Sequence, residues 1–244
     1  MNDIEVTKFY IRHRDNYPEM EMQYAAMDGF RTLNVETIPY HWVDDIDDFE
    51  DLGPTVGVAG YIGDVWRALK KIGKPIPDPL DYPESLDEFL GRRVWRSTLG
   101  EVRTLVEPTF VKPVEHKLFT GFIWNADTFS RRHVVTFPDE VPVWCAERVV
   151  FEAEYRAFVC YRKVVGVRLY KGDWSKAPSR DVVETAVKAM GRKAPHAYAL
   201  DWGVTDTGKT LLVEANDAFA LGHYGLQAVT YARMLSARWH ELTR

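Results

Sequence analysis

The sequence predicts an α+β protein in two parts, and three observations carry that expectation. Strand-like and helix-like patterns alternate over the first seventy residues, as a small α/β layer requires. Lys74-Pro75-Ile76-Pro77-Asp78-Pro79 then puts three prolines into six residues, which stops a helix and cannot pair inside a sheet. From Thr109 onward, β-branched and aromatic runs separated by short turns describe a mostly antiparallel sheet. The boundary divides the chain into residues 1–78, an N-terminal α/β domain, and 79–244.

The N-terminal pattern gives a strand over Val6 to Ile11, a helix over Glu19 to Phe30, strands over Leu33 to Ile38 and Thr55 to Val58, and a helix over Ile62 to Ile72. The acidic run Asp44 to Asp51 is a solvated face of the kind that charge clusters usually form. A short helix covers Glu84 to Leu90, and Arg93-Val94-Trp95-Arg96 leads into the β-rich half. Strands are expected over Phe110 to Lys112, Phe119 to Trp124, Val141 to Phe151, Tyr155 to Cys160, Val164 to Tyr170, Tyr198 to Val204 and Thr210 to Ala215. Helices over Asp181 to Met190 and Leu226 to Leu242 close the sheet, the second through an apolar stripe that includes Leu226, Met234, Leu235 and Trp239.

A chain of 244 residues buries a substantial core. Its net charge of -5 lacks the surplus of Lys and Arg that a dedicated nucleic-acid binder uses. The first residues lack the order of a signal peptide, and no apolar run is long enough for a bilayer, so a cytoplasmic location without membrane contact is the expectation. Cys145 and Cys160 sit in apolar runs without metal-ligand spacing and are expected as buried free thiols.

The stretch Tyr198 to Asn216 reads as a hairpin turning at Asp206-Thr207-Gly208-Lys209. With a four-residue loop, Asp201 stands opposite Glu214, and Asn216 shares their face because strand side chains alternate. Leu200, Trp202, Val204, Leu211, Val213 and Ala215 would fill the other face and fix the register. Two facing carboxylates repel, a conflict that a divalent cation removes; hard oxygen donors favour magnesium. Lys112 stands at the end of an apolar strand, where its ammonium could meet a phosphate. Glu154 and Arg156 lie two apart on one side of another strand. Gly57 to Gly63 lacks dinucleotide-binding spacing and is expected as a tight packed turn, and Arg12, His13 and Arg14 offer positive charge at a strand end.

Phe110-Val111-Lys112-Pro113, Glu154-Tyr155-Arg156-Ala157-Phe158-Val159, Ala199-Leu200-Asp201 and Val213-Glu214-Ala215-Asn216-Asp217 occur in that order. Together they resemble the ATP-grasp superfamily, and more closely its small bacterial and phage-associated amidoligases. Asp81-Tyr82-Pro83 and the segment from Asn216 to Leu226 are similar to that clade as well. The resemblance implies an ATP-grasp fold in which residues 79–244 form two α+β subdomains clamping ATP, with substrate held by the N-terminal layer. It implies Lys112 on the phosphates, Glu147 and Val149 along adenine, Glu154 on the ribose, and Asp201, Glu214 and Asn216 on magnesium. Two positions depart from the superfamily pattern. Val114 to Gly121 replaces a glycine-rich loop, so Lys117 would take over its donors; Ala199 stands where an arginine is often found, so Arg156 or Arg168 would stabilise transition-state charge.

The implied reaction activates a carboxylate as an acylphosphate that an amine attacks, with amino acids or peptides as substrates. No nucleophile elbow or activated cysteine is needed, and none is visible. A phosphotransferase on the same fold and a nucleotide-binding module without turnover remain the alternatives, and a homodimer stays open.

Overall fold

The computed structural model describes residues 4–115, 118–125, 132 and 134–244. Strand β1 (Lys8–Arg14) is apolar on both faces at Phe9, Tyr10 and Ile11, and such a strand belongs inside a parallel layer. It pairs in parallel with β3 (Glu36–Tyr40) on one side and β4 (Val56–Ala59) on the other. The short β2 (Tyr17–Pro18) folds back on its end. Helices α1 (Glu21–Thr32) and α2 (Ile62–Lys71) complete the layer. Between β4 and α2 the turn is tightly packed: a Cβ on Gly60 would lie 2.2 Å from the Tyr40 hydroxyl and 2.3 Å from Asp64 Oδ2.

A connector without regular structure leads to a 3₁₀ turn at Glu84–Phe89. The small antiparallel sheet that follows has the order β5 (Val94–Thr98), β8 (Pro142–Glu147), β6 (Thr109–Pro113), β7 (Phe122–Trp124). Arg93 to Arg96, expected only as a lead-in, therefore contains the start of a strand. The helical turn α3 (Leu99–Val102) caps this sheet, with Leu99, Val111, Trp124 and Val143 in its core.

The larger antiparallel sheet runs β10 (Lys163–Gly172), β9 (Ala153–Cys160), β11 (Ala197–Val204), β12 (Thr210–Asp217). Its two faces have different partners. Ala157, Val159, Leu200, Trp202 and Leu212 pack against α4 (Arg180–Ala189). Phe158 and Ala199, on the other face, join the core of the N-terminal layer through α5 (Ala228–Thr243), which buries Tyr231, Met234, Leu235 and Trp239. Burying side chains of this size contributes about 1.5–3 kcal/mol each, so α5 binds the two parts strongly. The contact is close because Gly29 of α1 has no side chain: a Cβ there would sit 2.0 Å from the Ala228 carbonyl oxygen of α5.

One long expected strand is broken in the structure. Val141 to Phe151 ends its ladder at Glu147, whose N–H donates to Arg93 O, and the chain next joins a ladder at Glu152, whose N–H donates to Val204 O. The segment crosses from the small sheet to the large one, so it must leave one set of backbone partners before meeting the other. Val149 consequently lies in a connector rather than in a strand. Cys145 is buried and Cys160 only half-buried; both thiols are free, and burial pushes each up to about 11.

Candidate active site

The site follows from strand register. Asp201 on β11 lies directly opposite Arg156 on β9 and Glu214 on β12, and Arg156 lies opposite Arg168 on β10. Directly paired residues share a face, so Arg168, Arg156, Asp201 and Glu214 form one row across the sheet. Phe158 and Ala199, on the same face toward one end, are covered by the N-terminal core. Glu154, toward the other end, lines an open cleft of about 530 Å³ together with Glu147, Val149, Phe151, Tyr170 and Glu214. A second cavity of about 470 Å³, lined by Asp81, Lys112, Glu214 and Asn216, meets the first at Glu214 and Gly121.

Asp201, Glu214 and Asn216 do converge. The Asn216 amide Nδ2 donates to Asp201 Oδ2 at 3.1 Å and to Glu214 Oε1 at 3.2 Å. Charge is balanced by two cations rather than left as a carboxylate pair. Arg156 grips Asp201 with Nε to Oδ1 and Nη2 to Oδ2, both 2.7 Å. Lys112 Nζ donates to Glu214 Oε2 and to Asp81 Oδ1, both at 2.7 Å, and sits 4.8 Å from the centre of the Tyr82 ring. Trp144 Nε1 holds the other Asp81 oxygen at 2.8 Å. The lysine is therefore oriented by a fixed acid on one side and a site carboxylate on the other.

Burial pushes the Asp201 carboxyl above its ordinary value, with the Arg156 fork pulling the other way. Burial also works against the Glu214 charge, but the Lys112 ammonium and the Asn216 amide outweigh it and hold Glu214 below the usual carboxylate range. Lys112 is held above the usual lysine range, because Glu214, Tyr82 and Asp81 outweigh its own desolvation.

The nucleotide residues expected from the sequence line the cleft in an order that suits a nucleotide. Glu147 and Val149 flank Arg148, and among the described residues no backbone hydrogen bond engages Arg148 to Phe151. Free N–H and C=O groups of that kind are what a planar heterocycle can pair with. Glu154 accepts from the Tyr170 hydroxyl at 3.1 Å and pairs with Lys171. Lys117 lies outside the described residues.

Neither arginine expected at the transferring phosphate lines these cavities. Arg156 is committed to Asp201, with its guanidinium 4.9 Å from the centre of the Tyr224 ring. Arg168 Nε donates to Gly225 O at 3.0 Å and Nη1 to Val167 O at 3.0 Å. Arg12 and Arg14 are likewise tied to acids, Arg12 to Asp64 and Glu19, Arg14 to Glu19. Sequence patterns missed Asp81, Arg92 and Trp144, which reach the site from distant segments; the one local signal was Asp81-Tyr82-Pro83 after the prolines.

The donor set suits a hard cation. Among the described residues no three His, Cys, Asp or Glu side chains form a cage, and the candidates are two carboxylates and one amide. Magnesium commonly takes one or two carboxylates and completes its shell with water and phosphate oxygens. Glu214 and Asn216 line the cavity, whereas Asp201 stands behind them with its side chain only 4% exposed. Turning the Asn216 amide over brings its Oδ1 to where Nδ2 now lies, adding an oxygen between the two carboxylates.

No curated protein sequence matches this chain. Solved structures share its fold. The ATP-grasp ligase PsnB complexed with a minimal precursor aligns over 96% of this chain and 99% of that chain, with 12% identity and a TM-score of 0.55. D-alanine–D-alanine ligase from Bacillus anthracis complexed with ATP aligns over 100% and 97%, with 14% identity and a TM-score of 0.55. A RiPP-associated ATP-grasp ligase from Chryseobacterium gregarium, in complex with ADP and a leader and core peptide, aligns over 97% and 96%, with 11% identity and a TM-score of 0.53. Residues 89–234, more than half of the chain, match a family described as an ATP-grasp domain, the second family of its clade, and the protein belongs to that ATP-grasp family.

Proposed function

We propose that this protein is an ATP-dependent ligase that joins a carboxylate to an amine, with amino acids or peptides as substrates. The observation that carries this reading is the meeting of Lys112 with Glu214 and Asn216 where the two cavities join. The ligase names of the structures that share the fold agree with it.

In this reading adenine lies along Arg148 to Phe151, with Glu147 and Val149 at its edge, and the ribose hydroxyls meet Glu154. Lys112 leaves Glu214 for the phosphates and keeps Asp81, which sets its direction. Glu214 and Asn216, backed by Asp201, would hold magnesium, which when bound offsets charge on the transferring phosphate. Arg156 serves by fixing Asp201. The γ-phosphate passes to a substrate carboxylate oxygen as ADP leaves. The amine nitrogen then bonds to the acyl carbon, the C–O bond to phosphate breaks, and the amine loses a proton. Positioning and charge stabilisation do most of the work, so no side-chain nucleophile is called for. Residues 1–78 form the substrate-side layer and 79–244 the nucleotide clamp. Among the described residues no helix is long and apolar enough to cross a membrane. A cytoplasmic setting is part of the proposal.

A panel of amino acids and short peptides, assayed for release of ADP and phosphate, tests the reading. At least one acid and amine pair should raise release, hydroxylamine should trap a hydroxamate, and Lys112→Ala and Asp201→Asn should abolish both. A stable phosphorylated product formed without any amine would make the protein a phosphotransferase instead.

A further inference from the structure

Strand β12 carries Glu214 and Asn216, yet its buried positions are Leu212 and Ala215. A regular strand buries alternate residues, so a spacing of three marks a break in the pleat. The ladder locates it. Asp201 faces Glu214, but its neighbour Trp202 faces Leu212, which leaves Val213 as an extra residue on β12. Leu212 therefore shares the core face with Trp202, and both are fully buried. Glu214 shares the cleft face with Asp201. In a strand without the extra residue, Glu214 would fall on the same face as Leu212 and turn into apolar packing. The bulge is what makes Asp201 and Glu214 one site.

A bulge disrupts its ladder, and β12 is an edge strand, so its outward groups need partners from elsewhere. The connector supplies them. Arg92 Nη1 donates to Leu212 O at 2.7 Å and to Leu90 O at 3.0 Å, and Nη2 donates to Val213 O at 3.2 Å. Beyond the bulge, Ala215 N–H donates to Asp81 O at 2.8 Å. Gly91 permits the approach: its φ is +59°, and a Cβ there would lie 2.4 Å from Leu211 Cδ2. A planar guanidinium can reach two successive carbonyls at once, which an ammonium does poorly.

We propose that Arg92 is a positioning residue for the metal end of the site, holding the Leu212 and Val213 carbonyls so that the bulge keeps Glu214 on the cleft face. This inference rests on the nucleotide and magnesium reading above. Arg92 also lines the cleft, so a direct contact with nucleotide is the competing role that the experiment must separate.

Calorimetry of ADP binding, once in EDTA and once with magnesium, separates them in wild type, Arg92→Met and Arg92→Lys. In wild type magnesium should tighten binding. In Arg92→Met that tightening should shrink by about ten-fold, the usual scale for loss of a group that orients a metal ligand, while magnesium-free affinity stays within about two-fold. Arg92→Lys should fall between the two. Unchanged tightening in Arg92→Met overturns the inference, as does an equal loss with and without magnesium, which indicates direct nucleotide contact or general damage. If the Met variant does not fold, the Lys variant carries the same comparison, and the same two outcomes overturn the inference. A wild type that binds ADP without any magnesium effect overturns the metal site itself, a result distinguishable from failure of the Arg92 role alone.

Discussion

Asp201 and Glu214 face each other in one row of the large sheet, yet their surroundings make them opposites. Asp201 is gripped by both arms of a buried arginine on a central strand, and burial pushes its carboxyl upward. Glu214, on the edge strand, is held by one lysine that also serves Asp81, and its carboxyl is held downward. Beyond each other, Asp201 and Arg156 hold the Asn216 amide and the Gly222 carbonyl oxygen, both parts of the protein itself. The lysine and Glu214 open onto a cavity. The site thus has a fixed half and an exchangeable half, and only the exchangeable half can trade its cation for a nucleotide.

Removing Arg156 should produce the largest effect, because it strands a buried carboxylate. Arg156→Met is expected to lower unfolding free energy by about 3–5 kcal/mol, measured by denaturant titration with an unchanged m-value. Lys112→Ala should do less to stability, about 1–2 kcal/mol, because Asp81 and Glu214 can take up water from the cavity. Its larger effect should be on ADP affinity, a loss of about ten-fold or more by calorimetry. Equal stability losses for the two variants would erase the distinction between the halves.

Acid should dissolve the exchangeable half in a specific direction. Glu214 has a folded pKa below its unfolded value, so its contribution is present above about pH 4.3 and is lost as pH falls through the lowered folded value. The stability difference between wild type and Glu214→Gln should therefore shrink from about pH 6 to about pH 3 in parallel unfolding titrations. The smallest effect is expected at Lys171, whose side chain is 70% exposed beside Glu154. Lys171→Ala should change stability by no more than about 0.5 kcal/mol.

Much of this arrangement was legible in strand alternation, though partly through compensation. A four-residue loop was expected between the hairpin strands, whereas residues 205–209 form a five-residue connection. The extra loop residue and the bulge at Val213 shift the register in opposite senses and cancel at Glu214. They do not cancel on the apolar face: Leu212 is the fully buried residue there, while Leu211 and Val213, expected to fill it, are half-buried. Asp81 and Arg92 were not legible, because each acts on β12 from more than a hundred residues away with no periodic signal to connect them. Arg156 was visible as a strand residue, but its partner depended on β9 lying next to β11, which single-strand patterns do not specify.

The most direct test is a crystal structure with ADP and manganese, the metal located by its anomalous signal. The account predicts a peak about 2.1 Å from oxygens of Glu214 and Asn216, Lys112 moved onto phosphate, and Arg156 still on Asp201. A metal and nucleotide bound elsewhere, or Lys112 still paired with Glu214 while the cleft is filled, would contradict it.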